Sequence, residues 1–167
     1  PGKVTLLKGM GADVRVSPHP GFDETEAWAK DEVKRDGIPF ISAYDDELIL
    51  AGNGGTMMRE MRRQLPGLET LILPVGGGGL SGGMLLSAAA PKRLVAAQTL
   101  ASPALVRRLE KGTAVTQMES AETLAGGLEG GIGVRGFEAL KAHDPQVISV
   151  SEAEIEEGLR WTLATHR

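Results

Sequence analysis

The sequence predicts an α/β protein in which a parallel sheet is flanked by helices. Short apolar segments with strand character alternate with helical segments, and a run of four glycines joins one strand directly to the next helix. Parallel strands need a long crossover, usually a helix, so this alternation favours a parallel sheet with right-handed crossovers. Ligands of such sheets bind beyond the carboxyl ends of the strands, and the glycine run lies at such an end.

The amino-terminal part of the chain is predicted to hold two helices and two short strands. Residues 3–10 end a helix that Gly11 closes, and residues 22–35 form a second helix that Asp36 and Gly37 terminate. Residues 12–16 alternate between apolar and polar side chains, and residues 38–41 are mostly apolar, so both are predicted as strands.

The remaining elements follow from apolar periodicity and from the glycines and prolines between them. Ser151 and Glu154 have the spacing of a capping box at the start of the last helix. The predicted order is helix 47–64 with a break at the glycines of 52–55, strand 70–75, helix to about 90, strand 93–97, helix 103–111, glycine-rich turn 126–133, helix 134–142, strand 146–150 and a last helix from 151.

Composition excludes several classes of protein. The 167 residues are 41% hydrophobic, which is enough for a core, and the net charge of −4 without a basic stripe argues against a nucleic-acid partner. There is no cysteine, so disulfides, thiolate metal sites and a cysteine nucleophile are excluded. No apolar stretch is long enough to cross a membrane and no secretory leader is evident, so we expect a cytoplasmic protein. The three histidines lack ligand spacing, and no metal is expected.

The glycine run, Gly76 to Gly79, is the strongest functional signal. Glycines allow a sharp turn and bring backbone N–H groups close to a ligand, and the following helix adds unpaired N–H groups. The apolar segments 71–73 and 84–86 on either side argue against a flexible linker. The pattern therefore predicts a phosphate site.

Known nucleotide motifs fit this site poorly. Gly77, Gly79 and Gly82 satisfy the dinucleotide spacing, but the next strand ends in Gln98 without the acidic residue that would hold a ribose. No Gly-Lys-Ser/Thr follows the glycines, which excludes a P-loop. Successive glycine amides suit a single terminal phosphate better. A non-catalytic phosphate- or nucleotide-binding module remains the alternative, as does a remnant that only pairs with another subunit.

Residues 74–82 resemble the phosphate loop of the fold-type II pyridoxal-phosphate enzymes, in particular the threonine/serine dehydratase and serine racemase group. Three further segments agree with that family in order and spacing: 44–46 with 50–56, 122–128 and 147–155. The resemblance implies a tryptophan synthase β-like architecture with pyridoxal 5′-phosphate as cofactor. It places the phosphate on the amides of Gly76, Gly77, Gly78, Gly79 and Leu80 and puts Gly127 beside the pyridine ring.

The resemblance also implies an activity and a division of the chain. The family reaction is α,β-elimination from serine- or threonine-like substrates with release of ammonia. Residues 1–39 would be the remainder of the smaller cofactor-side domain, and residues 40–167 part of the larger pyridoxal-phosphate-binding domain. We expect an amino-acid substrate for the intact enzyme, and a homo-oligomer or pairing with missing segments for this chain.

Several departures from the family pattern bear on activity. The family attaches its cofactor to a lysine in a Ser-x-Lys-x-Arg type segment, and none of the seven lysines has that context. We therefore expect the chain to begin after that segment, to contain no catalytic residue, and to be inactive alone. Gly54 and Gly55 insert one residue relative to the usual turn. Gln98 and Ala104 replace the carboxylates of relatives that bind a divalent ion. Asp45 and Asp46 are interpreted as helix caps.

Overall fold

The computed structural model describes residues 2–112 and 121–166. The chain divides into two compact units, Pro1–Phe40 and Ile41–Arg167. The second unit contains a parallel β-sheet flanked by helices, so the predicted fold class is confirmed.

The first unit contains helices α1 (Gly2–Gly9) and α2 (Phe22–Asp36). Acidic side chains occupy the first turn of α2 and basic side chains its last turn. Each group lies at the helix end of opposite partial charge, which stabilises the helix. Gly37 ends α2 in the left-handed conformation, with φ of 68°. This termination was predicted from the sequence.

The two strands predicted in this region, 12–16 and 38–41, do not form. Both segments have irregular backbone. A strand needs a neighbour to pair its N–H and C=O groups, and no such neighbour is present among the described residues of this unit. Alternation alone was therefore an insufficient signal, and both predictions were wrong.

The second unit follows the predicted alternation of strands and helices. Its sheet has the order β1-β2-β3 with every pair parallel, so Leu71 lies opposite Leu94, and Ala96 opposite Val147. The elements are α3 (Glu47–Leu50), a π-helical turn (Ala51–Gly55), α4 (Thr56–Gln64), β1 (Thr70–Pro74), α5 (Gly79–Leu85), β2 (Arg93–Thr99), α6 (Ala104–Lys111), a 3₁₀ turn (Gly126–Leu128), α7 (Val134–His143), β3 (Gln146–Val150) and α8 (Glu152–Thr165).

The core lies on one face of the sheet. Alternate residues of β1 are buried, and they meet side chains from the helices that cover this face. Burial of a large aliphatic or aromatic side chain contributes about 1.5–3 kcal/mol, so this cluster is the main stabilising feature. Its members are Met58, Leu71, Leu73, Val75, Met84, Leu94, Ala96, Ala104, Leu105, Ile132, Phe137 and Leu140.

The glycine-rich segment 52–55 does not break its helix. It forms a π-helical turn, Ala51–Gly55, that continues directly from α3 into α4. An added Cβ on Gly54 would lie only 2.1 Å from the carbonyl oxygen of Leu80, so α5 packs tightly against this turn. Single π turns of this kind occur inside α-helices. The glycines of 52–55 therefore widen the helix locally instead of ending it.

Helix α5 is shorter than predicted. It ends at Leu85, about five residues early, and Ser87 then accepts a hydrogen bond from the Ala89 amide at 3.2 Å. Serine favours such turns over helix interior positions. Within 2–112 and 121–166, no helix is long and apolar enough to cross a membrane.

Candidate functional site

The glycine loop lies where the topology places ligands. Strand β1 ends at Pro74, the backbone bends through residues 76–78, and α5 begins at Gly79. Gly78 has φ of 81°, a left-handed conformation that favours glycine. The carboxyl ends of β1, β2 and β3 are on the same edge of the parallel sheet, so this loop is at the ligand-binding edge.

Close packing explains why the other loop residues are also glycine. A Cβ on Gly76 would lie 2.8 Å from the Cα of Leu128. A Cβ on Gly77 would lie 2.6 Å from Cγ of Tyr44, and one on Gly79 would lie 2.9 Å from the Tyr44 Cα. These separations are too short for any real side chain, so the loop is fixed between Tyr44 and the 126–128 turn.

The amide groups of the loop are available to a ligand. None of the hydrogen bonds recorded for the described residues is donated by the amides of Gly76 to Leu80. Three of these residues, Gly76, Gly78 and Gly79, are buried and the other two are half-buried. Buried backbone donors are normally paired, so five consecutive unpaired donors fit an anion such as a phosphate.

The turn before α7 supports the loop. The Gly133 amide donates to the Gly77 carbonyl at 3.0 Å, and the next two amides, of Val134 and Arg135, donate to the Asp45 carboxylate at 3.0 and 2.8 Å. Asp45 thus caps a helix about 90 residues away in sequence rather than the helix that follows it. Asp46 caps α3 through the amides of residues 48 and 49, so the prediction for Asp46 is confirmed.

The turn that carries Gly127 lies against the glycine loop. The carbonyl oxygen of Gly127 would be 3.0 Å from a Cβ placed on Gly76. Gly127 itself has open space where its own Cβ would lie, and its φ is not in the left-handed region. Its proposed position beside a pyridine ring remains a prediction.

Glu152 orders the segment before this turn. Its carboxylate accepts hydrogen bonds from the Thr123 hydroxyl at 2.6 Å, the Leu124 amide at 2.8 Å and the Thr99 hydroxyl at 3.0 Å. These bonds, led by that from Thr123, lower the pKa of Glu152 from its ordinary value. The carboxylate therefore links the end of β2, the start of α8 and the 123–124 segment.

The capping box of Ser151 and Glu154 forms as predicted.

The side chain of Gln98 connects two backbone segments by hydrogen bonds. Its amide nitrogen donates to the Val75 carbonyl at 3.4 Å, and its oxygen accepts from the Val106 amide at 3.2 Å. A carboxylate could not donate the first of these bonds. In the part of the chain that the structure describes, no group of three or more His, Asp or Glu side chains is arranged to hold a metal ion.

Sequence reasoning missed Glu152, Tyr44 and Arg108 as residues that shape the site. In α6 the buried side chains include Leu105 and Arg108, whereas Leu109 is 38% exposed. Position 108 has the i+3 spacing from Leu105 expected of a buried face, but an arginine there is normally interpreted as exposed.

Comparison with known proteins agrees with the resemblance seen in the sequence. Residues 1–167 match the family described as pyridoxal-phosphate dependent enzymes. The chain is 32% identical over 159 residues to an L-threonine ammonia-lyase of Geobacter sulfurreducens, covering 93% of this chain and 39% of that protein. It is 29% identical over 165 residues to an L-threonine ammonia-lyase of Thermotoga maritima, covering 96% and 40%.

Solved structures show the same fold. Serine racemase from Dictyostelium discoideum aligns with a TM-score of 0.79 at 27% identity, covering 98% of this chain and 52% of that one. Maize serine racemase aligns with a TM-score of 0.83 at 24% identity, covering 97% and 51%. The chain thus spans about 40 to 50% of the length of these relatives. The match over the whole chain, together with the strand–glycine loop–helix geometry, shows that this chain belongs to the family of pyridoxal-phosphate dependent enzymes.

Proposed function

We propose that the amides of Gly76 to Leu80 hold the phosphate of pyridoxal 5′-phosphate in a cytoplasmic amino-acid dehydratase or ammonia-lyase. The observation that carries this proposal is the set of five consecutive loop amides that donate to no acceptor in the described residues. The intact enzyme would carry out α,β-elimination on a serine- or threonine-like substrate. The similarity to two L-threonine ammonia-lyases supports that reaction class.

The chain's own residues would bind and orient the cofactor. Pyridoxal phosphate, when bound, supplies an electron sink for carbanion chemistry next to the substrate amino group. The glycine loop would fix its phosphate end, and the packing of Tyr44 and Leu128 against that loop would keep the amides in place. None of the lysines lies in the sequence context of the family's attachment lysine, so this chain alone is proposed to bind without catalysing.

Gly127 is proposed to face the pyridine ring because the protein itself does not need a glycine there. Its φ is ordinary, and an added Cβ would meet no atom within 4 Å. A requirement for glycine at this position would therefore come from a ligand rather than from the fold. Gly126 in the same turn is a matched control, since its added Cβ would make only an ordinary 3.7 Å contact with Glu129.

Amide NMR spectra of the full chain test the phosphate site. Addition of pyridoxal phosphate or inorganic phosphate should shift the amides of residues 76–80, and pyridoxal without phosphate should not. Absence of shifts at these residues with both phosphate compounds would refute the proposal. Binding of NAD in preference to pyridoxal phosphate would support the alternative of a nucleotide-binding module.

Two alanine variants test the position of Gly127. Gly127→Ala should weaken binding of pyridoxal phosphate while leaving the affinity for inorganic phosphate unchanged, because only the former carries a ring. Gly126→Ala should change neither affinity. Equal loss in the two variants, or no loss in Gly127→Ala, would contradict a ring at this turn.

The expected lack of activity has a separate test. With pyridoxal phosphate present, the chain should release no ammonia from serine or threonine. Treatment with borohydride should leave no cofactor absorbance on the protein after dialysis. Cofactor that stays attached to one particular lysine would show that the attachment residue is present and would overturn this part of the proposal.

We also propose that the uncovered face of the sheet is buried by self-association. Ile72 of β1 is 65% exposed and Ile148 of β3 is 37% exposed. Trp161 of α8 is a further exposed apolar side chain, at 60%. Apolar surface of this kind marks an interaction site. Sedimentation should show oligomers at high concentration, and a strictly monomeric species would count against the proposal.

A further inference from the structure

Arg108 is the largest fully buried side chain among the described residues. It lies in α6 with 0% of its surface exposed. Its Nη1 atom donates to the carbonyl oxygens of Ile132 and Gly133 at 2.7 and 2.9 Å. Its guanidinium carbon is 4.3 Å from the ring centroid of Phe137. Arginine is seldom fully buried unless an anion pairs with it, so its place in the core requires an explanation.

The charge of Arg108 has no direct counter-ion in the part of the chain that the structure describes. None of the ion pairs formed by residues 2–112 and 121–166 includes it, and its Nε and Nη2 atoms have no hydrogen-bond partner there. Burial lowers its pKa, while the carboxylates of Asp45 and Glu138 act in the opposite direction. An arginine stays protonated in a protein, so the positive charge of Arg108 remains in the core, within electrostatic reach of the carboxylates of Asp45 and Glu138.

Gly133 connects this charge to the glycine loop. Its carbonyl accepts from Arg108, and its amide donates to the carbonyl of Gly77. Ile132, the other residue bound by Arg108, packs against Gly78, where an added Cβ would lie 2.9 Å from Cγ1 of Ile132. Two hydrogen bonds thus separate the guanidinium from the middle of the loop, with low-dielectric core between them.

We propose that Arg108 is a positioning residue that holds the 132–133 turn beneath the glycine loop and whose charge makes the loop selective for dianions. The inference rests on the proposed phosphate-binding function of residues 76–80. A phosphate monoester carries two negative charges near neutral pH, and its attraction to a fixed positive charge scales with its own charge. A charge in a low-dielectric core is weakly screened, so its effect reaches the loop.

Two anions of the same shape separate the charge of Arg108 from its structural role. Methyl phosphate at pH 8 is a dianion, and methyl sulfate is a monoanion of nearly identical form. Coulomb energy is proportional to charge, so loss of the Arg108 charge should cost the dianion twice the binding free energy that it costs the monoanion. The factor by which the affinity for the dianion falls should therefore be the square of the factor for the monoanion. Simple loosening of the loop should weaken both by the same factor.

The experiment measures dissociation constants from the amide shifts of residues 76–80 in the full chain. For Arg108→Met we expect methyl phosphate to bind about tenfold more weakly and methyl sulfate about threefold, a loss of order one ionic contact. Arg108→Lys should keep the preference for the dianion. Arg107→Met is the matched control, since it removes an exposed positive charge from the same helix and should change neither constant.

Arg108→Gln keeps hydrogen-bond donors without the charge, and it decides the case if Arg108→Met fails to fold. It should lose the preference for methyl phosphate that Arg108→Lys retains. Equal weakening of both anions, or unchanged affinities in the neutral variants, would overturn the role of Arg108. If the wild-type chain bound neither anion at residues 76–80, the proposed function would fail together with this inference. Wild-type binding with unaltered variants would overturn the inference alone.

Discussion

Gly136 provides the sharpest test of how the glycine loop is held. It lies in the first turns of α7, and an alanine there would place its Cβ 2.5 Å from the carbonyl oxygen of Gly78. Ordinary contact begins at 3.4 Å, so the deficit is 0.9 Å. The obstructing atom belongs to the backbone of the loop, which cannot move aside as a flexible side chain would.

The expected loss of stability combines two opposing effects. Overpacking in a close-packed region costs about 1–3 kcal/mol of stability. Because the obstacle is rigid backbone, the overpacking cost of Gly136→Ala should be about 3 kcal/mol. Alanine gains about 1 kcal/mol over glycine in a helix. We therefore expect the free energy of unfolding to fall by about 2 kcal/mol, which corresponds to a decrease in Tm of about 4–8 °C for a chain of this size.

Gly158 in α8 is the matched control. An alanine there would meet no atom within 4 Å, so only the helix preference of about 1 kcal/mol applies and Tm should rise by about 2–4 °C. Urea unfolding and thermal scans measure both variants, and the amide shifts of residues 76–80 report displacement of the loop. If Gly136→Ala were as stable as Gly158→Ala, the close approach of α7 to the loop would be refuted.

Three further predictions concern polar contacts of the second unit. The folded state lowers the pKa of Glu152, so its contribution to stability is complete above the unperturbed pKa of 4.5 and is lost as the pH falls below it. Tm of the wild type should fall more steeply than that of Glu152→Gln on acidification below pH 4.5, and parallel curves would contradict this. Asp45→Ala removes the acceptor of two amides at the start of α7 and should lower the free energy of unfolding by about 1 kcal/mol. In urea the midpoint should fall while the dependence on urea concentration stays the same, and an unaltered midpoint would exclude the cap. Ser151→Ala breaks the capping box of α8 and should also cost about 1 kcal/mol, with faster hydrogen exchange in residues 152–155 as the check.

Much of the second unit was predictable from local sequence. The three strands, the order of the helices and the position of the glycine loop follow from apolar segments bounded by glycine and proline, because these residues act on the backbone nearest to them. The capping box at Ser151 was predictable for the same reason, since both partners lie within four residues. Family resemblance added the cofactor, and the match over residues 1–167 supports it.

The predictions that failed depended on distant partners. Residues 12–16 have a strand pattern, but a strand forms only where another strand pairs with it. The π turn at Ala51–Gly55 appeared in the sequence only as a glycine break, because its width depends on how α5 packs against it. Neither the absence of this strand nor the π turn can be predicted from the neighbouring residues alone.

The sequence by itself determined the fold class and the strand–glycine loop–helix unit, and it predicted a phosphate as the ligand of that loop. Only the tertiary structure decided what holds the loop. Asp45 caps a helix about 90 positions away, Gly136 must lack a side chain because of Gly78, and Arg108 is buried beneath Gly133. The physical reason is that periodicity and turn chemistry act over a few residues, whereas close packing and the burial of a charge depend on segments that meet only in the folded chain.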